Sequence, residues 1–158
     1  MVNNVEKLGL DPRFEQWVVY YMATSQRFYA RVGHAVDSDT LSCEATMWLA
    51  RACNHIYAES GRGPGAAVVV LQRLKRWCEE GLLKQSVVEA SLDILESAED
   101  DTSPIAEDSI VAEVAPILRR RKQQHALRVA LTEFGQHGDL NKAVRLIEQA
   151  NQIGSSTI

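Results

Sequence analysis

Between Val111 and Gly154 the sequence changes the side on which it is apolar, and that change restricts what the chain can fold into. The stretch reads as a limb, VAEVAPILRRRKQQHALRVALTEF, a turn at Gly135-Gln136-His137-Gly138, and a second limb, DLNKAVRLIEQANQI. At about 100° per residue, Ile110, Val111, Val114, Ile117 and Leu118 gather on one face of the first limb. Leu127, Ala130, Leu131 and Phe134 gather roughly half a turn away, with Arg119-Arg120-Arg121-Lys122 at the crossover. A rod that switches its buried face leaves one packing environment and enters another. The expectation is a hairpin whose base packs on a globular head and whose tip packs on itself. The plainer arrangement is a helix pair at the edge of one bundle, with a break near Arg121.

The second limb opens at Asp139, whose carboxylate suits a helix cap, after glycines at 135 and 138 that suit turn or cap backbone. Leu140, Ala143, Val144 and Ile147 form one apolar stripe, while Leu146 and Ile153 fall on a different side. Two isolated helices satisfy one stripe each. Leu146 and Ile153 are therefore expected to need a second chain, together with the tip residues Leu127, Leu131 and Phe134. The outcome would be a homo-oligomer, a dimer or higher, formed through the hairpin.

Everything before the hairpin also reads as helix. Asp11-Pro12 is a helix start, followed by a face of Phe14, Trp17, Val18, Tyr21 and Phe28 that runs to Val32 and stops at Gly33. A second helix is expected to begin within Ser38-Asp39-Thr40, bury Leu41, Ala45, Trp48, Leu49, Ala52 and Ile56, and end at Gly61. GRGPG then passes Pro64 to a third helix carrying Val68, Leu71, Leu74 and Cys78, which stops at Gly81. A fourth begins at Ser86, with Glu89 completing a capping box. The only β-branched run, Val68-Val69-Val70, lies within helical spacing, so the fold class is all-α.

The segment from Glu96 to Asp108 holds six acidic residues and Pro104, which marks a solvated linker. The expected organisation is a helical head at 1–98, an acidic linker at 99–109, the hairpin at 110–154 and a tail at 155–158. Residues 1–110 carry 10 basic and 17 acidic groups, whereas residues 111–158 carry 7 and 4. An acidic head on a mildly basic hairpin suits oriented self-association or an acidic partner. The residues expected to dock such a partner are Arg119, Arg120, Arg121 and Lys122. Direct nucleic-acid contact is not expected, because that cluster lacks interleaved aromatics and a broad basic surface.

Composition sets the compartment. With 46% hydrophobic and 24% charged residues the chain is of soluble globular type, and no apolar run reaches the roughly 20 residues of a membrane helix. The start, MVNNVEKLGL, lacks a secretory pattern, and Cys43, Cys53 and Cys78 form no C-x-x-C pair, so the cytoplasm is expected. The cysteines read as buried or half-buried thiols, with too few converging ligands for zinc. GRGPG lacks the lysine, the hydroxyl residue and the preceding strand of a phosphate loop, and reads as a helix connector. His34, His55, His125 and His137 have no recognisable catalytic setting. No catalytic residue, cofactor or metal site is expected, and the chain is not expected to be an enzyme.

Taken in order, these elements resemble the N-terminal domain of DnaB-type replicative DNA helicases, in which a compact helical head precedes a projecting helical hairpin. The likeness runs through Phe28, Asp37-Ser38-Asp39, His55-Ile56-Tyr57, the glycine- and proline-containing turn and the Leu71/Leu74 helix. Leu118-Arg119-Arg120 resembles the Leu-Arg-Arg opening of the family's first limb. Leu146-Ile147-Glu148-Gln149-Ala150 and Ile153 resemble the second limb, except that here the acid precedes the alanine. The resemblance implies self-association into a collar, with recruitment of primase in the primosome and contact with a helicase loader. Family members continue into a RecA-like ATPase domain with a Walker A loop, which would carry ATP-dependent helicase activity. This sequence contains no such loop, so it resembles an excised domain, a truncated protein or a stand-alone relative. The other reading is a free-standing helical adaptor or phage-type regulatory protein that pairs through the same hairpin.

Overall fold

Asp11 starts the first helix as its chemistry requires. Its carboxylate accepts from the Arg13 N–H at 2.9 Å, and Pro12 takes the first helical position, where no N–H is needed. The computed structural model describes residues 6–137 and 140–154, and leaves the side chains of 133–137, 140 and 143 undescribed. Among the described residues the chain is all-α. The helices are α1 (Pro12–Thr24), α2 (Gln26–Arg31), α3 (Glu44–Ser60), α4 (Ala67–Glu79), α5 (Gln85–Glu99), α6 (Glu107–His137) and α7 (Leu140–Asn151). Short 3-10 turns at Gly33–Ala35 and Ser38–Thr40 join α2 to α3.

Several helix ends differ from the sequence expectation, each for a local reason. The first helix does not run to Val32. Ser25 interrupts it, its hydroxyl accepting from the Phe28 N–H at 3.1 Å to cap α2. The resulting corner buries Phe28 and Tyr29 completely. Residues 38–40 form a 3-10 turn instead of opening α3, which begins at Glu44 behind Cys43. Pro64 precedes α4 by three residues instead of starting it, and α4 ends at Glu79, short of Gly81. The capping box at Ser86 does not form. The chain is already helical at Gln85, and Lys84 at the cap position makes no side-chain bond. Gly61 ends α3 as expected, with a left-handed φ of 76° and its N–H on the Tyr57 carbonyl at 2.7 Å.

The core lies around the crossing of α1 and α3. Trp17, Val18, Met22, Leu49, Cys53 and Leu74 are all buried there. α1 packs on α2, α3, α4, α5 and the base of α6, so it touches nearly every other helix. Ile110, Val111, Val114 and Leu118 on α6 belong to the same apolar cluster. Each contributes roughly 1.5–3 kcal/mol on full burial, which is what seats the hairpin on the head.

The acidic segment narrows to a loop at 100–106 that is fastened to α1. Arg13 reaches Asp101 at 3.2 Å and the Ser103 carbonyl at 3.1 Å, and the Tyr21 hydroxyl donates to the Ile105 carbonyl at 2.6 Å. The Ser103 N–H, and then Arg13, hold the Asp101 carboxyl below the ordinary range. At the start of α6, Asp108 receives Arg31 at 3.0 Å and Arg27 at 3.7 Å, both from α2.

α6 continues through Arg121 without the break that the plainer arrangement would require. Its 31 residues, at about 1.5 Å each, give a rod of roughly 46 Å. Gly135, expected in the turn, is still helical. α6 packs most extensively on α7, so the chain ends in a long antiparallel hairpin.

Candidate docking surface on the hairpin

The hairpin carries its polar anchors at the junction with the head and its exposed apolar groups towards the tip. At the junction the basic run has internal employment. Arg119 donates to the Ile153 carbonyl from Nε at 3.0 Å and from Nη2 at 2.7 Å, which ties the end of α7 to the middle of α6. Arg121 donates to the Glu6 and Lys7 carbonyls at 2.7 and 2.6 Å, clasping the strap that precedes α1. Lys122 lies 3.5 Å from the Asp37 carboxylate. Arg120 is exposed. The expected docking cluster is thus largely a set of staples between hairpin and head, with Arg120 the member directed to solvent.

The tip stripe separates from the face that α7 covers. Ala126 is buried, whereas Leu127 is 54% exposed and Leu131 is 75% exposed. They stand one turn apart on one side of α6. The side chain of Phe134 lies outside the described residues. The expectation that the tip packs on itself is not met at these two leucines: α6 turns Ala126 inward and leaves Leu127 and Leu131, two of the residues expected to meet a second chain, exposed.

α7 is corrected in the opposite sense. Ile153, expected to need a second chain, is covered by its own at 4% exposure, and Ala150 is buried beside it at 3%. Leu146 is half-buried, facing a cleft that it shares with Ala30 and His34. Val144, placed on the inner stripe, is 44% exposed. Leu140 and Ala143, from the same stripe, have side chains outside the described residues. The reason is that α7 does not pack as half of an isolated pair. Its C-terminal half sits in a corner between α6 and the α2 end, so two faces are covered there.

Gly154 makes that corner possible. Its N–H donates to the Arg31 carbonyl at 3.0 Å, and its φ is 83°. A Cβ at this position would stand 2.6 Å from the Ala115 Cβ, closer than two carbons can approach.

The other sequence candidates resolve as structural. GRGPG connects α3 to α4 and is packed on α2: a Cβ on Gly63 would fall 2.8 Å from that of Tyr29. Cys53 is buried, which pushes its thiol pKa up, and Cys78 is half-buried. Cys43 is exposed, against expectation, because it sits at the solvent side of the α3 entry. His55 Nδ1 faces Arg73 at 2.5 Å, and Arg73 also reaches Glu59 at 2.8 Å, forming a surface network between α3 and α4. Among the described residues no group of histidine, cysteine or carboxylate side chains could hold a metal ion. No described helix is long and apolar enough to cross a membrane. Comparison of the chain with protein-family models, curated proteins and solved structures returns no match.

Proposed function

We propose that this chain is a non-catalytic assembly domain that self-associates through the outer face of its hairpin. The observation that carries the reading is the pair Leu127 and Leu131, 54% and 75% exposed one turn apart on a helix otherwise well covered at its base. Two exposed leucines in register on one helix face form an apolar patch of the kind that an interface covers. The order of a helical head followed by a long hairpin supports a role like that of the N-terminal domain of DnaB-type helicases. On this reading the domain works in the cytoplasm, builds a collar with copies of itself and docks primase or a helicase loader. Catalysis belongs to other domains of the assembly.

Magnitudes set the strength expected. Covering the exposed parts of both leucines on two chains contributes on the order of 4–8 kcal/mol. Association opposes this with about 4–15 kcal/mol of lost freedom. The leucine pair alone therefore gives a weak dimer, and neighbouring hairpin contacts decide its lifetime. Light scattering after gel filtration should show mass rising with concentration through the micromolar range. Leu131→Asp should return the chain to monomer with its circular dichroism intact. A wild type that stays monomeric at high micromolar concentration would remove the basis of this reading.

A further inference from the structure

A cleft of about 740 Å³ opens where the end of α2 meets the hairpin, well inside the roughly 300–1,000 Å³ range of small-molecule sites. Its polar wall is His34 from the turn after α2, Lys122 and His125 from α6, and the neutral Gln149 and Gln152 at the end of the hairpin. Ala30, Leu146 and Ile153 supply an apolar floor, and among the described residues no aspartate or glutamate lines it. A smaller recess shares Lys122 and His125 and adds Arg121 and Arg128. Among the described residues Asp37 is the acid that lines this recess, 3.5 Å from Lys122. In a chain of net charge −4, this corner collects cations. His34 registers the imbalance: partial burial, then the Lys122 charge, hold its pKa below the usual histidine value.

We propose that this cleft binds a small amphipathic monocarboxylate, with its head between Lys122, His34 and His125 and its short apolar body on Ala30, Leu146 and Ile153. The choice of a single negative charge follows from the walls. Phosphate sites draw on arginine forks and on N–H groups at helix N-termini. Here the cleft is framed by the middle of α6 and the C-terminal ends of α2 and α7, so no α-helix N-terminus offers it the N–H groups that a phosphate would use. No arginine is among the described residues lining the cleft: Arg119 is committed to the Ile153 carbonyl and Arg121 to the Glu6 and Lys7 carbonyls, and Arg128 lines the adjoining recess. Lysine and histidine donors above an apolar floor suit a carboxylate with a hydrocarbon body. The inference is independent of the assembly reading, because Leu127 and Leu131 are not among the cleft's lining residues.

Octanoate is a suitable probe, titrated into the full chain and followed by NMR, with octanamide as the uncharged isostere. Saturable shifts are expected at His34, Ala126 and Ala150, with octanamide about tenfold weaker. Saturation should raise the His34 titration midpoint, since a bound anion stabilises the imidazolium. By the same linkage octanoate should bind more tightly at about pH 6 than at about pH 7.5. Lys122→Gln, at a partly exposed position, should weaken octanoate about tenfold without loss of helix content. His34→Asn provides a second variant that should abolish most of the pH dependence. Equal binding of octanamide, an unmoved His34 midpoint, or shifts centred on Leu127 and Leu131 would overturn the proposal.

Discussion

Replacing Glu15 by alanine is expected to destabilise the fold by about 3 kcal/mol, the size associated with stranding partners of a buried charge. Glu15 is 2% exposed in the middle of the head, on α1. Its carboxylate accepts from the Ser42 N–H at 2.9 Å, the Ser42 hydroxyl at 3.0 Å, the Cys43 N–H at 3.3 Å and the Thr46 hydroxyl at 2.5 Å. These donors are the entry to α3, where Cys43 at the cap position makes no side-chain bond of its own. Glu15 is therefore the N-cap of another helix, placed from 27 to 31 residues away in sequence. Its negative charge also suits the positive end of α3.

Alanine would leave the part-buried Ser42 N–H without its acceptor, while the Thr46 hydroxyl would keep only the Cys43 carbonyl at 2.9 Å. Glutamine would keep the shape but turn one acceptor into a donor, so about 2 kcal/mol is expected for Glu15→Gln. Urea unfolding should show the midpoint of Glu15→Ala falling by roughly 1–2 M at unchanged slope. A fall of less than about 0.3 M would mean that water replaces the carboxylate, and that α3 does not depend on it.

Glu15 also explains where the sequence was legible. Helix ends built from neighbouring residues could be read: Asp11 and Pro12 at the start of α1, Gly61 at the end of α3. The start of α3 could not, because its cap comes from α1 and nothing near residue 43 announces it. Ser38, Asp39 and Thr40 had the chemistry of a cap and were used instead in a 3-10 turn, where Thr40 Oγ1 donates to the Asp37 carbonyl at 2.6 Å. Ser25 was readable in principle, but the apolar period continues across it from Tyr21 to Phe28. Periodicity records which residues are buried and not whether the backbone bends between them.

The hairpin shows the same limit one level up. The change of apolar face along α6 was visible, and so was the seating of Ile110, Val114 and Leu118 on a head. Which of two apolar lines on α7 would face inward was not, because that depends on a third body. Ile153 is covered and Leu146 half-buried at the corner by α2, a neighbour more than a hundred residues earlier in the chain. The basic run carried no mark of its targets either, since Arg119 and Arg121 bind backbone carbonyls and every residue has one.

Gly154→Ala is expected to detach that corner, with a loss of about 2–4 kcal/mol. Two effects combine. A left-handed φ of 83° opposes any β-carbon, and the new methyl would press on the Ala115 Cβ at 2.6 Å. Ala115 is buried on the face of α6 that packs on the head. The chain's easiest escape is to release residues 152–154, which breaks the Gly154 bond to the Arg31 carbonyl and loosens both Arg119 bonds to Ile153. Amide exchange should therefore rise in α7 while α3 and α5 keep their protection. Ala115→Gly separates the two causes, because it removes the collision and leaves the backbone strain. In a double-mutant cycle the Gly154→Ala and Ala115→Gly pair should show a favourable coupling of about 1–2 kcal/mol. Exchange that rises evenly across all helices, or a coupling near zero, would show that Gly154 does not lock the hairpin to the head.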